Sequence, residues 1–472
     1  MINRETIKRL SLAIAAAFIT ACAESGPEPL LIDGEGTLVL EGATLIDGTG
    51  APAVANAVVV IAGDRISHVG EMGDFRYGES LTIENVAGKF ILPGFIDVHV
   101  HPRLGAERDT MRMLLEFGVT SIRIPGLGFD QHDTHGIELR DKIENGRMVG
   151  PRINTGAKII EGPTKTFPPD VEVHSIKEIR AEVRRQADLG VDLVKLYWNT
   201  PPEFVRAAID EAHGLGLQVL GHLRATTWTE AAHAGIDGLV HNIPSSLGRE
   251  LAPPNERDAL RQLRSSGSYR AYYAKLERVI DLDGPWFDEL VQALSVNNVT
   301  VDPTLVILQT LAFGDDLSVL EKLEPQLAPS TIHDTWGENW QTGNPYALNG
   351  PQQPTTGKAL FPIAQEIVRR FHERGVRLAV GTDVGMPWIT PGVSFHREME
   401  LLVESGIAPA DVLVLATRNG AKTIRADDER GTIEPGKLAD LIVLGKSPLE
   451  DIRNTRSIEA VYKGGKLFDP GL

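Results

Sequence analysis

The sequence predicts an α/β protein, a (β/α)8 TIM barrel with a small β-sandwich domain formed by both chain ends. Three observations predict it. Strand-like and helix-like segments alternate through the middle of the chain, and eight strand-like segments can be counted there, the number a parallel barrel needs. Hairpin-like β texture is confined to the two ends. Histidine, lysine and aspartate recur where the strand-like segments end, which is where such a barrel gathers its chemistry.

The elements can be justified in order. Residues 31–92 are short and β-like: "TLVLEGATLIDGTG" ends in a Gly-rich turn, and "AVVVIAGDRISHVGEM" alternates on both sides of Gly63-Asp64, a hairpin signal. The same texture returns in residues 424–472, with "GTIEPGKLADLIVLGK" and "IEAVYKGGKLFD". Between them, residues 93–423 form the expected barrel. Its strands are "FIDVHVH", "GVTSIRIPG", "PRINTGAKI", "VDLVKLYW", "LQVLGHLR", "IDGLVHNI", "VTVDPTLVIL" and "RLAVGTDVG". "SIKEIRAEVRRQADLG" has the i, i+3, i+4 apolar spacing of a helix that stops at Gly190, and "PPEFVRAAIDEAHGLG" is a helix with proline at its start. Two insertions, near 245–296 and 312–358, interrupt the alternation. Their Tyr269, Tyr272, Tyr273, Trp286, Trp336 and Trp340 suit either lids or packing against the small domain. A doubly wound open sheet is the competing architecture, but no Gly-rich phosphate loop follows any strand.

Composition bounds the function. The net charge of −17, with no basic patch, argues against a nucleic-acid partner. The first 21 residues read as a lipoprotein signal peptide: Arg4, Lys8 and Arg9, then a short apolar run, then "ITAC". Cys22, the sole cysteine, excludes an internal disulfide and is the expected site of a lipid anchor, with residues 22–30 as tether. Ala23 follows, without the aspartate that favours inner-membrane retention. The expected location is the bacterial outer membrane, facing the periplasm. A plain signal peptide is the alternative. Whether the chain is a homo-oligomer stays open.

The first barrel strand alternates Ile96, Val98 and Val100 with Asp97, His99 and His101, so the three polar groups share a face. Taken by itself, this pattern also fits a half-exposed edge strand. Later strands decide, because Lys195, His222, His241 and Asp383 fall at their ends. Asp97, one step deeper, is expected to orient His99 or to bond the barrel floor. His68, His132, His135, His174, His213, His233, His333 and His372 have no such placement and read as surface or helix residues.

"LPGFIDVHVHP" after "IDGTG", the later "GTDVG" and the closing "GTIEPGKLADLIVL" together resemble the metal-dependent amidohydrolases, nearest the imidazolonepropionase-like and prolidase-like branch. The resemblance implies a binuclear centre of two divalent ions, most simply zinc, held by His99, His101, Lys195, His222, His241 and Asp383. It also implies N6-carboxylation of Lys195, which matches the strand-four lysine that bridges both ions. An unmodified Lys195 pairing with Asp383 or Asp192 is the alternative and goes with a single ion. Buried beside cations, an ammonium is pushed toward the neutral amine that can add carbon dioxide. Two close ions hold a hydroxide at neutral pH and polarise a carbonyl, and Asp383 serves as ligand and general base. Arg224 and Tyr197, each two residues past a candidate ligand, are the expected clasp for a substrate carboxylate and the donor to the attacked carbonyl. Arg123 suits a structural salt bridge, and His396 suits orienting the helix that follows the last strand. After Lys195 the chain reads "LYWNTPPEF" instead of the Gly-rich turn many relatives carry.

The expected activity is hydrolysis of a C–N amide bond in a small molecule: a dipeptide, an N-acyl amino acid or a cyclic amide. Deamination of a heterocycle or opening of a lactone fits the same residues. A non-catalytic solute-binding lipoprotein is the reading from a different class, and retention of all six candidate ligands speaks against it.

Overall fold

Eight short parallel strands carry the middle of the chain: β1 (Phe95–Asp97), β2 (Val119–Ile124), β3 (Arg152–Thr155), β4 (Leu193–Leu196), β5 (Gln218–Gly221), β6 (Gly238–Val240), β7 (Thr300–Asp302) and β8 (Arg377–Leu378). The computed structural model describes residues 28–34, 36–127, 131–168, 170–241, 244–345 and 356–469. The expected signal peptide, Cys22 and most of the 22–30 tether lie outside the described residues. No helix among the described residues is long and apolar enough to cross a membrane.

The strands fall into two parallel sheets. One has the order β3-β2-β1; the other runs Val171–Glu172, Ile160–Glu161, β4, β5, β6, β7, β8. Backbone hydrogen bonds join the two. Val98 N donates to Val380 O at 3.0 Å, Asp383 N to His99 O at 2.8 Å and His101 N to Val384 O at 2.7 Å. On the other side, Asp192 N donates to Thr155 O at 2.8 Å. Strands β1, β2, β4 and β5 are buried along their whole length. This is the burial expected of parallel strands covered by helices on their outer face.

The connecting helices form where the sequence places them. Ile176–Asp188 is capped by Ser175, whose hydroxyl accepts from Glu178 N, and Trp228–His233 begins with a Thr227–Glu230 capping box. Pro202–Gly214 opens on proline, whose missing N–H costs nothing at that position.

One predicted strand is corrected. "VTVDPTLVIL" is strand only through Asp302; Leu305–Ala312 is helix. Pro303 has no N–H to continue the ladder, and Thr304 takes a left-handed backbone with φ of 48°. The buried Glu398 carboxylate then receives Leu305 N at 2.9 Å and Val306 N at 2.6 Å, satisfying the first turn of the helix.

Both chain ends build one mixed sheet. Its order is Lys466–Leu467, Ile458–Lys463, Leu441–Leu444, Phe90–Pro93, Thr37–Leu45, Val54–Ala62 and Arg65–Glu71, with Thr82–Asn85 also paired to Thr37–Leu45. A separate two-stranded sheet, Leu30–Ile32 with Phe75–Tyr77, lays Phe75 and Tyr77 on Val39, Val58 and Val60.

The first insertion is helical: Pro254–Ser265, Tyr269–Val279 and Pro285–Val296, with Leu260, Tyr272, Leu276 and Leu360 in one cluster. The second packs Trp336 and Trp340 on Ala106, Met113 and Ile332, and meets Trp388 five residues past Asp383. It also reaches the C-terminal segment, through an ion pair of Glu324 with Arg456. The insertion therefore contacts both the rim and the small domain.

Candidate metal centre

Two histidines follow β1, and Asp97 sets their backbone. Its Oδ1 accepts from His99 N and from Thr382 N, both at 3.1 Å, and its Oδ2 accepts from Thr382 Oγ1 at 2.6 Å. Asp97 thus ties the chain at His99 to the chain just before Asp383. Burial pushes its carboxyl up to about 7.

His99, His101 and His241 each have a partner at Nδ1 that determines which nitrogen carries the proton. His101 Nδ1 lies 2.8 Å from the Gly126 carbonyl, so Nδ1 is protonated and Nε2 is bare. His99 Nδ1 lies 3.1 Å from Asp302 Oδ2. Arg123 donates to the same oxygen at 3.0 Å, which opposes the upward push of burial on Asp302. Arg123 is therefore the structural ion pair expected of it. Asp302 accepts from both, and His99 Nε2 is also bare. Thr304 Oγ1 donates to Pro303 O at 2.8 Å and so can only accept from His241 Nδ1 at 2.7 Å. That leaves a third bare Nε2.

These lone pairs converge. His99 Nε2 and His101 Nε2 are 3.2 Å apart, and Asp383 Oδ1 lies 3.6 and 3.5 Å from them. His241 Nε2 is 3.9 Å from Asp383 Oδ2. A single proton on Asp383 satisfies at most one of these acceptors, whereas a divalent cation satisfies all of them. His99, His101 and Asp383 each offer a ligand atom within 4.8 Å of the others. Burial holds His99 and His241 well below the usual histidine range and brings His101 to about 4, so all three are neutral at pH 7, the form that can bind a cation. His241 and Asp383 both adopt positive φ, 61° and 65°. Backbone strain of this kind at non-glycine positions gathers at functional sites.

The remaining candidates line the same space. The Lys195 side chain is 3% exposed, and its Nζ has no hydrogen-bond partner among the described residues. Asp192, its suggested partner, is instead bonded to Arg140 at 3.1 Å and to Thr155 N at 2.8 Å. Burial lowers the Lys195 amine to about 7. His222 stands 4.6 Å from His241, ring centre to ring centre. Tyr197 is stacked on Trp198 at 5.2 Å and meets His222 edge-on. The Arg224 guanidinium lies 3.0 Å above the Trp198 ring, its buried Nε has no hydrogen-bond partner among the described residues, and burial lowers it to about 9. The structure thus brings together all the predicted site residues. His396 lies away from them, between Thr455 Oγ1 and Phe117 O. A cavity of about 450 Å³ lined by Arg140, Asp192, Arg425 and Arg430 holds none of these ligands.

Asp302, Thr304, Thr382 and Trp198 were not singled out by sequence. Asp302 ends β7, so the strand-end rule would have found it had that strand been ended correctly. Replacing Thr304 by valine keeps shape but removes the His241 acceptor. It is expected to weaken divalent-ion retention by about 10- to 100-fold, measured by dialysis against metal buffers, with little change in melting temperature.

A parallel α/β fold with imidazole and carboxylate side chains converging at its strand ends defines a candidate metal centre. Residues 362–468 match the amidohydrolase family model. Over 435 residues the chain is 22% identical to an imidazolonepropionase of Alkaliphilus oremlandii, covering 87% of this chain and 89% of that protein. It is 32% identical over 455 residues to an adenine deaminase of Rubrobacter xylanophilus, 91% of this chain but 58% of the deaminase. The solved structure of a Xaa-Pro dipeptidase with bound methionine superposes with a TM-score of 0.66 at 22% identity, covering 92% of this chain and all of that one.

Proposed function

We propose that the chain is a metal-dependent amidohydrolase that cleaves the C–N amide bond of a small carboxylate-bearing substrate, a dipeptide, N-acyl amino acid or cyclic amide. The family match and the imidazolonepropionase and dipeptidase likenesses support a hydrolase acting on carbon–nitrogen bonds. The observation that carries the metal reading is the convergence of the bare Nε2 atoms of His99, His101 and His241 on Asp383. His99, His101 and Asp383 would hold one divalent ion, with His222, His241 and a carboxylated Lys195 available to a second. The ions, zinc in the simplest case, supply Lewis-acid polarisation and water activation at neutral pH. Asp383 takes the proton of the attacking water and passes it to the leaving nitrogen. Tyr197 faces the carbonyl, and Arg224 clasps the carboxylate. The scaffold is read as a closed (β/α)8 barrel, supported by the hydrogen bonds that join the segment after β1 to the segment after β8 and β3 to the residue before β4. The small domain, residues 31–92 with 424–472, is read as a β-sandwich, supported by the Phe75 and Tyr77 contacts.

The purified protein, assayed on dipeptides and N-acyl amino acids, is expected to contain close to two divalent ions per chain. Chelation should abolish hydrolysis, and re-addition of the ion should restore it. Full activity in metal-free protein would sink the mechanism. The adenine deaminase likeness favours a second reading, deamination of a heterocycle on the same site; ammonia release without a new carboxylate product would identify it. The anchor on Cys22 in the outer membrane is part of the proposal, supported by "ITAC". Labelled palmitate should enter the wild-type chain and not Cys22→Ser.

A further inference from the structure

Three of the four histidines at this centre have Nδ1 held by an acceptor, which leaves Nε2 free for a cation. His222 differs: its Nε2 faces a donor, the indole N–H of Trp198, at 3.0 Å. An indole nitrogen can only donate, and a neutral imidazole offers one lone pair. That lone pair is therefore taken, and Nδ1 carries the proton. We propose that Trp198 is a latch on the second ion position, so that His222 becomes a ligand only when the indole N–H leaves it. The inference rests on the metal reading above.

Both routes to a His222–metal bond require this movement. If Nε2 coordinates, it must give up the indole. If Nδ1 coordinates, the proton moves to Nε2 and would point at another N–H, donor against donor. The latch is held by three neighbouring side chains. Tyr197 stacks on the ring at an interplanar angle of 9°, Arg224 lies 3.0 Å above it, and Phe167 packs at 6.0 Å. By contrast, the first position already presents its acceptors to one another, and no indole N–H among the described residues is bonded to them. The two positions therefore fill in order, with the His99–His101–Asp383 position first. Trp198 acts through His222 and is a positioning residue.

The test is a titration of the metal-stripped full chain with Zn²⁺ in bicarbonate buffer, followed by calorimetry and tryptophan fluorescence. Wild type should bind in two steps, the second weaker, and a fluorescence change should accompany the second step. In Trp198→Phe, which keeps the ring and removes the N–H, that change should disappear and the second step should tighten by about five- to tenfold, the worth of one hydrogen bond. His222→Ala should lose the second step and keep the first. A second step unchanged or weakened in Trp198→Phe overturns the latch. So does a fluorescence change confined to the first step, a reading wild type supplies even if the variant does not fold. One step in both wild type and Trp198→Phe overturns the latch and leaves the first-ion reading standing. No step in either overturns the metal reading and the latch with it.

Discussion

Asp383→Asn is expected to lower hydrolytic turnover by about 10²–10⁴-fold, the usual contribution of a positioned acid–base group. The protein should still fold and retain much of its metal. Asparagine tolerates the 65° φ of this position nearly as well as aspartate, and its amide oxygen would still be available to the proposed ion beside His99 and His101. What it cannot do is take up a proton. The pH profile distinguishes this from a general loss of fit. Burial pushes the Asp383 carboxyl up to about 7, while the nearby Lys195 charge opposes the rise. A base is active when ionised, so wild-type rate should climb with pH through a limb near or below 7; a bound cation favours the carboxylate and moves that limb downward. Asp383→Asn should lack the limb. Unaltered turnover in the variant would remove Asp383 as the base.

The candidate ligand set was legible because two rules act together. Side-chain alternation puts His99 and His101 on one face, and the rule that barrel chemistry sits at strand ends selects Lys195, His222, His241 and Asp383 from many other polar residues. What could not be read is which nitrogen each histidine offers. That is decided by partners far along the chain: Gly126 lies 25 residues from His101, Asp302 lies 203 from His99, and Thr304 lies 63 from His241. No period encodes such pairings. The turn after Lys195 was visibly unusual as "LYW", but only the fold brings Trp198 against His222. The error at β7 has a local cause. An apolar run interrupted only by Asp302-Pro303-Thr304 reads as one strand, and the left-handed Thr304 that breaks it leaves no trace in hydropathy.

Lys195→Met is expected to lower turnover by about 10²-fold or more, the scale of losing several kcal/mol of stabilisation by a second ion, and yet to raise the melting temperature of the metal-free protein at pH 7. The two effects have one origin. Lys195 is buried with no hydrogen-bond partner for its amine among the described residues, and burial lowers that amine to about 7. An amine whose pKa is lower folded than unfolded contributes stability only at high pH. That contribution falls as pH drops from the unfolded value of about 10.4 toward 7, because the unfolded chain takes up the proton more readily. Methionine, similar in shape and uncharged, removes the penalty. Near pH 7 about half of the wild-type amine is neutral and nucleophilic. Addition to carbon dioxide forms an N–C bond, releases a proton and leaves an anionic carbamate suited to bridging two cations. At fixed carbon dioxide, carboxylation should therefore rise with pH through about 7, and carbon-13 bicarbonate should give a carbamate resonance absent from Lys195→Met. In Lys195→Ala, which leaves space as well as removing the amine, added formate or acetate should restore part of the activity by supplying the missing anion. A variant that is both less stable without metal and fully active would mean that Lys195 is a packing residue and no ligand.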